Sequence, residues 1–170
     1  MGIKLNNVRL SFPSLWSTEK FNQEDTGKYA CTFILDKIDH AEKIEEIKSK
    51  IAEGIKTEFK GKDVPADKIC LKDGDESGRD EYANSYIIKG STKKRPTIID
   101  RDKTPLLEED GKPYSGCYVN AIIDLWYQNN NYGKRVNCNL LGVQFYKDGE
   151  SFGAGPVDVT DDFDSFDDDF

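Results

Sequence analysis

CYVNAIIDLWYQNNNYGKRVNCNLLGVQFY, running from Cys117 to Tyr146, reads as two strands and the turn that joins them. In its first half Cys117, Val119, Ala121, Ile123, Leu125 and Tyr127 alternate with Tyr118, Asn120, Ile122, Asp124 and Trp126. A period of two puts the first set on one face of a strand, and that face is apolar enough to be core. Lys134 to Tyr146 is the returning strand. Between them, Gln128-Asn129-Asn130-Asn131-Tyr132-Gly133 supplies the Asn and Gly that tolerate positive φ at a hairpin tip. The second face carries Tyr118 and Trp126, joined by Arg135, Asn137 and Asn139 from the partner strand, with Tyr132 and Lys134 at the tip. Aromatic side chains on a polar face have two readings. They pack beneath a helix or loop, or they offer rings on which nucleobases stack.

Upstream of the hairpin, Ile3, Leu5 and Leu10 mark a first strand running into Ser11-Phe12-Pro13-Ser14. A loop with Trp16 and Phe21 follows. In Lys28 to Leu35 the residues Tyr29, Cys31, Phe33 and Leu35 share one face of a second strand. Asp39 to Phe59 is the one convincing helix. Ile44, Ile47, Ile51, Ile55 and Phe59 recur at three- and four-residue intervals, and Asp39 with Glu42 has the spacing of a capping box. Residues 60–83 read as a charged loop, Asn84 to Lys89 as a short strand, Gly90 to Arg95 as a basic turn, Pro96 to Ile99 as a further extended piece, and 101–113 as a second charged loop. Several strands, one helix and long loops predict a mainly β protein: an OB-type Greek-key barrel with one amphipathic helix. The helix stands earlier in the strand order than the simplest OB pattern places it, and a β-sandwich stays open.

Charge is divided unevenly. The chain has 170 residues and a formal net charge of −8. Asp158 to Phe170, DVTDDFDSFDDDF, holds seven aspartates, three phenylalanines and no Lys or Arg. Subtracting those seven charges leaves about −1 for residues 1–157, so the body is nearly neutral. Such a tail has little to bury and its carboxylates repel one another, so it is expected not to fold alone. The division predicted is a domain over 1–152 and an acidic, Phe-terminated tail over 153–170. Asp161, Asp162, Phe163, Asp164, Phe166, Asp167, Asp168, Asp169 and Phe170 are the candidate partner-binding residues, since aromatics spaced among acids suit a basic, partly apolar pocket and a terminal carboxylate can be captured specifically.

Other chemistry is thinly represented. Cys31, Cys70, Cys117 and Cys138 form no Cys-x-x-Cys pair and read as reduced core residues, and the single histidine, His40, has no ligand neighbours. Asp73-Gly74-Asp75-Glu76-Ser77-Gly78 imitates the start of a calcium loop, but Asn84 stands where a bidentate Glu is required. Neither a glycine-rich phosphate loop nor a nucleophile–base pair is present. No enzyme, metal or cofactor is therefore expected. No apolar run is long enough to cross a bilayer, and the start, MGIKLNNVRL, lacks signal-peptide organisation, which predicts a cytoplasmic protein without a membrane partner.

Lys89 to Lys103, KGSTKKRPTIIDRDK, sets six basic residues against two acids. Clusters of this kind neutralise phosphates and release counterions. The candidate phosphate contacts are Lys89, Lys93, Lys94, Arg95, Arg101, Lys134 and Arg135, and the candidate stacking residues are Trp16, Tyr118, Trp126 and Tyr132. The competing reading is a protein-interaction adaptor without DNA binding, in which the tail docks on a partner and the basic loop is merely solvated. A DNA-mimic inhibitor is weaker, because its acidity would extend over the body.

The stretches LSFPSLW (10–16), KYACTFILDK (28–37), IIKGSTKKRPTIID (87–100), YSGCYVNAIIDLWYQ (114–128) and NLLGVQFYKDGE (139–150) together resemble a family of phage-encoded single-stranded-DNA-binding proteins with an OB fold. The resemblance spans most of the body and keeps the order of the motifs. It implies a core that coats single-stranded DNA without choosing sequence during phage replication or recombination. It further implies a tail that recruits replication or recombination proteins. The charge split between body and tail adds the expectation that the tail competes with DNA for the groove. The setting would then be the host bacterial cytoplasm. A homodimer is left open.

Overall fold

The computed structural model describes residues 2–21, 24–130 and 133–150. Its strands are β1 (Ile3–Ser14), β2 (Lys20–Phe21), β3 (Glu24–Asp25), β4 (Tyr29–Asp36), β5 (Leu71–Asp73), β6 (Ser85–Thr92), β7 (Thr97–Ile99), β8 (Tyr118–Asn130) and β9 (Gly133–Lys147), with one α-helix, α1 (Ala41–Glu58). The decisive hairpin is β8–β9, antiparallel from Tyr118↔Lys147 to Asn130↔Gly133. Tyr132 lies outside the described residues, as does everything after Glu150.

Alternation drives barrel formation. Val119, Ala121 and Ile123 of β8 are buried, as are Val136, Cys138, Leu140, Val143 and Phe145 of β9, so the hairpin needs a second layer. β1 supplies it by pairing with β8 on one side and β4 on the other, and β4 continues the ladder to β6. A parallel contact, Ser91↔Asn139, then joins β6 to β9 and closes the ring β1-β4-β6-β9-β8. That cyclic order, with its first and fourth and its third and fifth barrel strands adjacent, is the OB barrel. Closure requires strands to bend. Ile122 pairs with Gly142 while Ile123 pairs with Leu140, so Leu141 is an extra residue on β9, and β1 shifts register against both of its neighbours. β5 extends the sheet beyond β6 and β7 extends it beyond β9.

α1 lies between the second and third barrel strands, the early position expected from the order of elements. Its buried Ile44, Ile47 and Ile51 follow the predicted stripe. Phe59 caps the same face and meets the Tyr127 ring edge-on at 6.1 Å. Gly54 is the seat of that ring: a Cβ at Gly54 would overlap Tyr127, whose hydroxyl donates to the Lys50 carbonyl at 2.9 Å. The capping box does not form. His40 occupies the N-cap without a capping bond from its side chain, and it is the Asp36 carboxylate that accepts the N–H groups of Ile38 (2.8 Å) and Asp39 (2.9 Å). A turn organised by Asp36 uses up these donors before the helix starts, so Asp39 is left as a turn residue.

The charged stretch 60–83 is less empty than its composition suggests. It holds β5 and single 3₁₀ turns at Ala66–Lys68, Gly74–Glu76 and Asp80–Tyr82. Asp73 and Asp75 close on the Lys37 ammonium at 2.9 and 2.7 Å, which pins this segment to the end of β4. The Tyr82 ring lies over the outer face of β1, where its hydroxyl and that of Ser11 share a hydrogen bond of 2.9 Å. Cys31, Cys117 and Cys138 are buried, Cys70 is half-buried, and all four are free.

Candidate nucleic-acid interface

The seam where β6 meets β9 is flanked by two clefts. The first, of about 280 Å³, is lined by Lys68, Lys72, Lys89, Ser91, Arg135 and Asn137 among others. The second, of about 410 Å³, is lined by Lys28, Ser91, Lys93, Lys94, Trp126 and Asn139 together with Thr92 and Asp124. Ser91 belongs to both, so the two clefts adjoin there and together are termed the groove. Seven cationic side chains line it, against the carboxylates of Asp67 and Asp124.

Register explains how distant segments meet there. On the outer face Trp126 pairs with Asn137, Lys89 pairs with Thr32, and Thr32 pairs with Ser11. The parallel pair Ser91↔Asn139 brings Lys89 and Asn137, two residues back on each strand, to the wall of the same cleft. The result is a row crossing all five barrel strands in the order Trp126, Asn137, Lys89, Thr32, Ser11. At about 4.8 Å between strands, it runs about 19 Å around the barrel, and its last two members, Thr32 and Ser11, are buried, with Tyr82 bonded to Ser11. Trp126 is 45 % exposed, an open ring at one end of the row.

The connection between β1 and β4 forms one rim. It carries the β2–β3 ribbon and is tied to the barrel twice. Arg95 Nη2 donates to the Trp16 carbonyl at 3.0 Å, and its guanidinium lies 5.9 Å from the Trp16 ring centre and 5.8 Å from that of Tyr29. Glu19 reaches over the groove to Lys89 Nζ at 2.9 Å. At the floor, burial pushes the Cys70 thiol up to about 11, so it is protonated at neutral pH. The arrangement offers cations for phosphate, rings for bases and amide or hydroxyl groups between them. It offers no acid–base pair poised on a nucleophile.

The sequence candidates separate into three groups. Lys89, Lys93, Lys94, Arg135 and Trp126 line the groove, Lys134 sits beside Arg135 near the hairpin tip, and Arg95 with Trp16 forms the rim. Arg101 and Tyr118 are placed elsewhere. Arg101 packs over Tyr146 at 5.4 Å, past the end of β7. Tyr118 lies beneath Arg9 (5.7 Å) and Lys147 (4.8 Å), eight residues and about 27 Å of strand from Trp126. Tyr132 and the tail residues from Asp161 to Phe170 lie outside the described residues. Lys28, Lys68 and Lys72 are lining residues that sequence reasoning missed. Lys72 belongs to the three-residue β5, which is too short to show alternation, and reaches the groove by pairing opposite Ile87.

Comparison with known proteins gives the family. A family described as Enterobacter phage Enc34, ssDNA-binding protein, matches residues 1–170. Protein p50 of Acyrthosiphon pisum secondary endosymbiont phage 1 is 40 % identical over 173 residues, covering 96 % of this chain and 93 % of its own. The single-stranded DNA-binding protein from bacteriophage Enc34, solved in complex with ssDNA, superposes with a TM-score of 0.82 at 32 % identity over 89 % of each chain. The single-stranded DNA-binding protein gp2.5 of bacteriophage T7 superposes with a TM-score of 0.57 over 96 % of each chain, at 12 % identity, a likeness of fold.

Proposed function

The chain belongs to the Enterobacter phage Enc34 ssDNA-binding protein family, and from that premise we propose that it coats single-stranded DNA through the β6–β9 groove, independently of sequence, in phage DNA replication or recombination. The observation that carries this reading is the pair of adjoining clefts, with seven cations along them and an open Trp126 at their side. Lysines and Arg135 neutralise phosphates and release counterions. Trp126 and the Arg95-backed Trp16 stack on bases, and each stacked base contributes roughly 1–3 kcal/mol. Ser91, Asn137 and Asn139 can bond to any base edge, a composition that does not favour one sequence.

In this account residues 1–152 are the binding domain and 153–170 a tail with two uses. Its aspartates compete with DNA for the groove, and once displaced they and the phenylalanines engage a basic pocket on a replication or recombination protein. The last residues before Ser151 are tied to the barrel, since Arg9 donates to the Glu150 carbonyl at 2.6 Å and the Tyr114 hydroxyl donates to Asp148 at 2.7 Å. From Glu150 back to Asn139 is at most about 40 Å of chain, the part from Lys147 to Asn139 lying in β9. The extended reach from Ser151 to Phe163 is about 43 Å, enough to bring the distal acids to the groove of the same molecule.

The test is titration of a fluorescent oligo-dT at two salt concentrations, with duplex competitor, for the full chain and a variant ending at Pro156. Tight, salt-sensitive binding that prefers single strands, and that strengthens without the tail at low salt, is expected. Absence of binding by both forms would refute the coating function and favour the adaptor. Equal affinity of the two forms at low salt would refute competition by the tail alone.

A further inference from the structure

Phe12 is exposed where its neighbours are not. Leu10 and Leu15 are fully buried, whereas Phe12 is 50 % exposed and lies outside the core cluster. Its φ is +46°, a left-handed conformation that costs free energy in any residue bearing a Cβ and most in a bulky one. The irregularity falls in β1 between Ser11 and Ser14, where the register against β4 shifts. Strain of this kind persists only where surrounding contacts hold it, and it gathers at functional sites. Here the contact is Arg79, whose guanidinium lies 4.8 Å from the ring centre and is itself held by Glu81 at 3.5 Å. A cation thus lies against a ring that is still half exposed.

The position is as informative as the strain. Ser11 is the last member of the row that starts at Trp126, and Phe12 follows it directly. Two strand spacings, about 10 Å, separate it from the Lys89 strand. An aromatic ring backed by an arginine, at the opposite end from an open tryptophan of a row with Lys89 at its centre, suits an unpaired base and a neighbouring phosphate.

We propose that Phe12, with Arg79 stacked behind it, is a second base-stacking subsite that takes a nucleobase of a single strand on its open face, at the far end of the row from Trp126. This rests on the single-stranded-DNA reading above. The subsite is indifferent to base identity, since stacking needs only a π-face.

The test uses the full chain with Phe12→Gly, Phe12→Asn and Phe12→Trp. Gly and Asn accept positive φ, so both remove the ring while keeping or easing the backbone, and the thermal midpoint should hold. The probes are a fluorescent oligo-dT and an oligomer of the same length built from abasic deoxyribose-phosphate units. Phe12→Gly and Phe12→Asn should weaken oligo-dT binding about 5- to 150-fold, leave the abasic oligomer unaffected, and be compensated by Phe12→Trp. Wild type that binds oligo-dT, with ring-free variants that bind it equally well or lose both probes alike, would overturn the subsite and leave the function standing. Wild type that fails to bind oligo-dT would overturn the function and the subsite with it.

Discussion

Glu19→Gln should strengthen single-strand binding, and the structure sets the size of the gain. Glu19 Oε1 stands 2.9 Å from Lys89 Nζ, at the centre of the row of groove residues. A phosphate arriving there must displace the carboxylate. The Glu19 backbone is held independently of its side chain: its N–H donates to the Lys28 carbonyl at 2.7 Å, and its own carbonyl accepts from the Thr26 N–H at 2.8 Å. Glutamine keeps the shape and removes the charge. A half-exposed pair of this kind is worth about 0–1 kcal/mol to the fold, so thermal stability should barely change. Relieving the competition should return about 1 kcal/mol to binding, roughly a fivefold lower Kd at low salt. The gain should shrink as the Debye length falls to about 10 Å at 0.1 M salt and below. The slope of log K against log salt should steepen by about 0.7, one additional counterion released from a single strand. In a Lys89→Ala background the same change should gain much less. Fluorescence anisotropy with oligo-dT across a salt series measures all three quantities. Unchanged or weaker binding by Glu19→Gln at low salt would refute the claim that Glu19 guards Lys89.

Three further outcomes follow from particular contacts. Gly54→Ala should destabilise the fold by about 1–2 kcal/mol in urea unfolding, since overlap with Tyr127 outweighs the ~1 kcal/mol that alanine adds to a helix; a stabilised variant would contradict the seat assigned to that ring. Stability should fall at both ends of the pH scale. The N–H groups of Asp39 and Ile38 hold Asp36 below the usual carboxylate range, and Lys37 does the same for Asp73 and Asp75, so their contribution is present above pH ~4 and is lost as pH falls through the folded values. Burial pushes Cys70 and Cys117 up to about 11, so theirs is present below the ordinary thiol value near 9 and is lost as pH rises towards 11; a flat urea-midpoint profile from pH 3 to 11 would contradict both assignments. Trp126→Ala should weaken oligo-dT binding by roughly 1–3 kcal/mol, while Tyr118→Ala should change Kd by less than about twofold; the reverse order in a direct titration would move the strand to the other end of β8.

Much of the barrel was legible because its strands are long enough for alternation to show. The apolar set from Cys117 to Tyr127 faces the core as its period requires, and the isoleucines of α1 fall on one stripe. The early position of the helix was likewise readable from the order of elements. The seam at Ser91↔Asn139 was not, since a parallel contact between distant segments leaves no local signal, and the groove exists only because of it. Lys68 and Lys72 were hidden for the same reason: within a charged loop, nothing distinguishes a lysine aimed at a cleft from one aimed at water. Tyr118 and Trp126 illustrate the limit of parity. Both lie on the outer side of one strand, but the strand outruns the groove, and only register tells which end carries it. The capping box expected at Asp39 and Glu42 does not form because the Asp36 carboxylate organises a turn that ends at Asp39, and the helix starts after it with His40 as N-cap.

The central claim is that a single strand lies along the β6–β9 groove with a base against Trp126. Photocrosslinking of a 5-iododeoxyuridine oligonucleotide to the full chain, followed by mapping of the modified peptides, tests it most directly. The account predicts crosslinks at Trp126 and in the Phe12–Trp16 segment, lost with excess oligo-dT. Crosslinks concentrated at Tyr118 or Tyr146, with none in the groove, would contradict it.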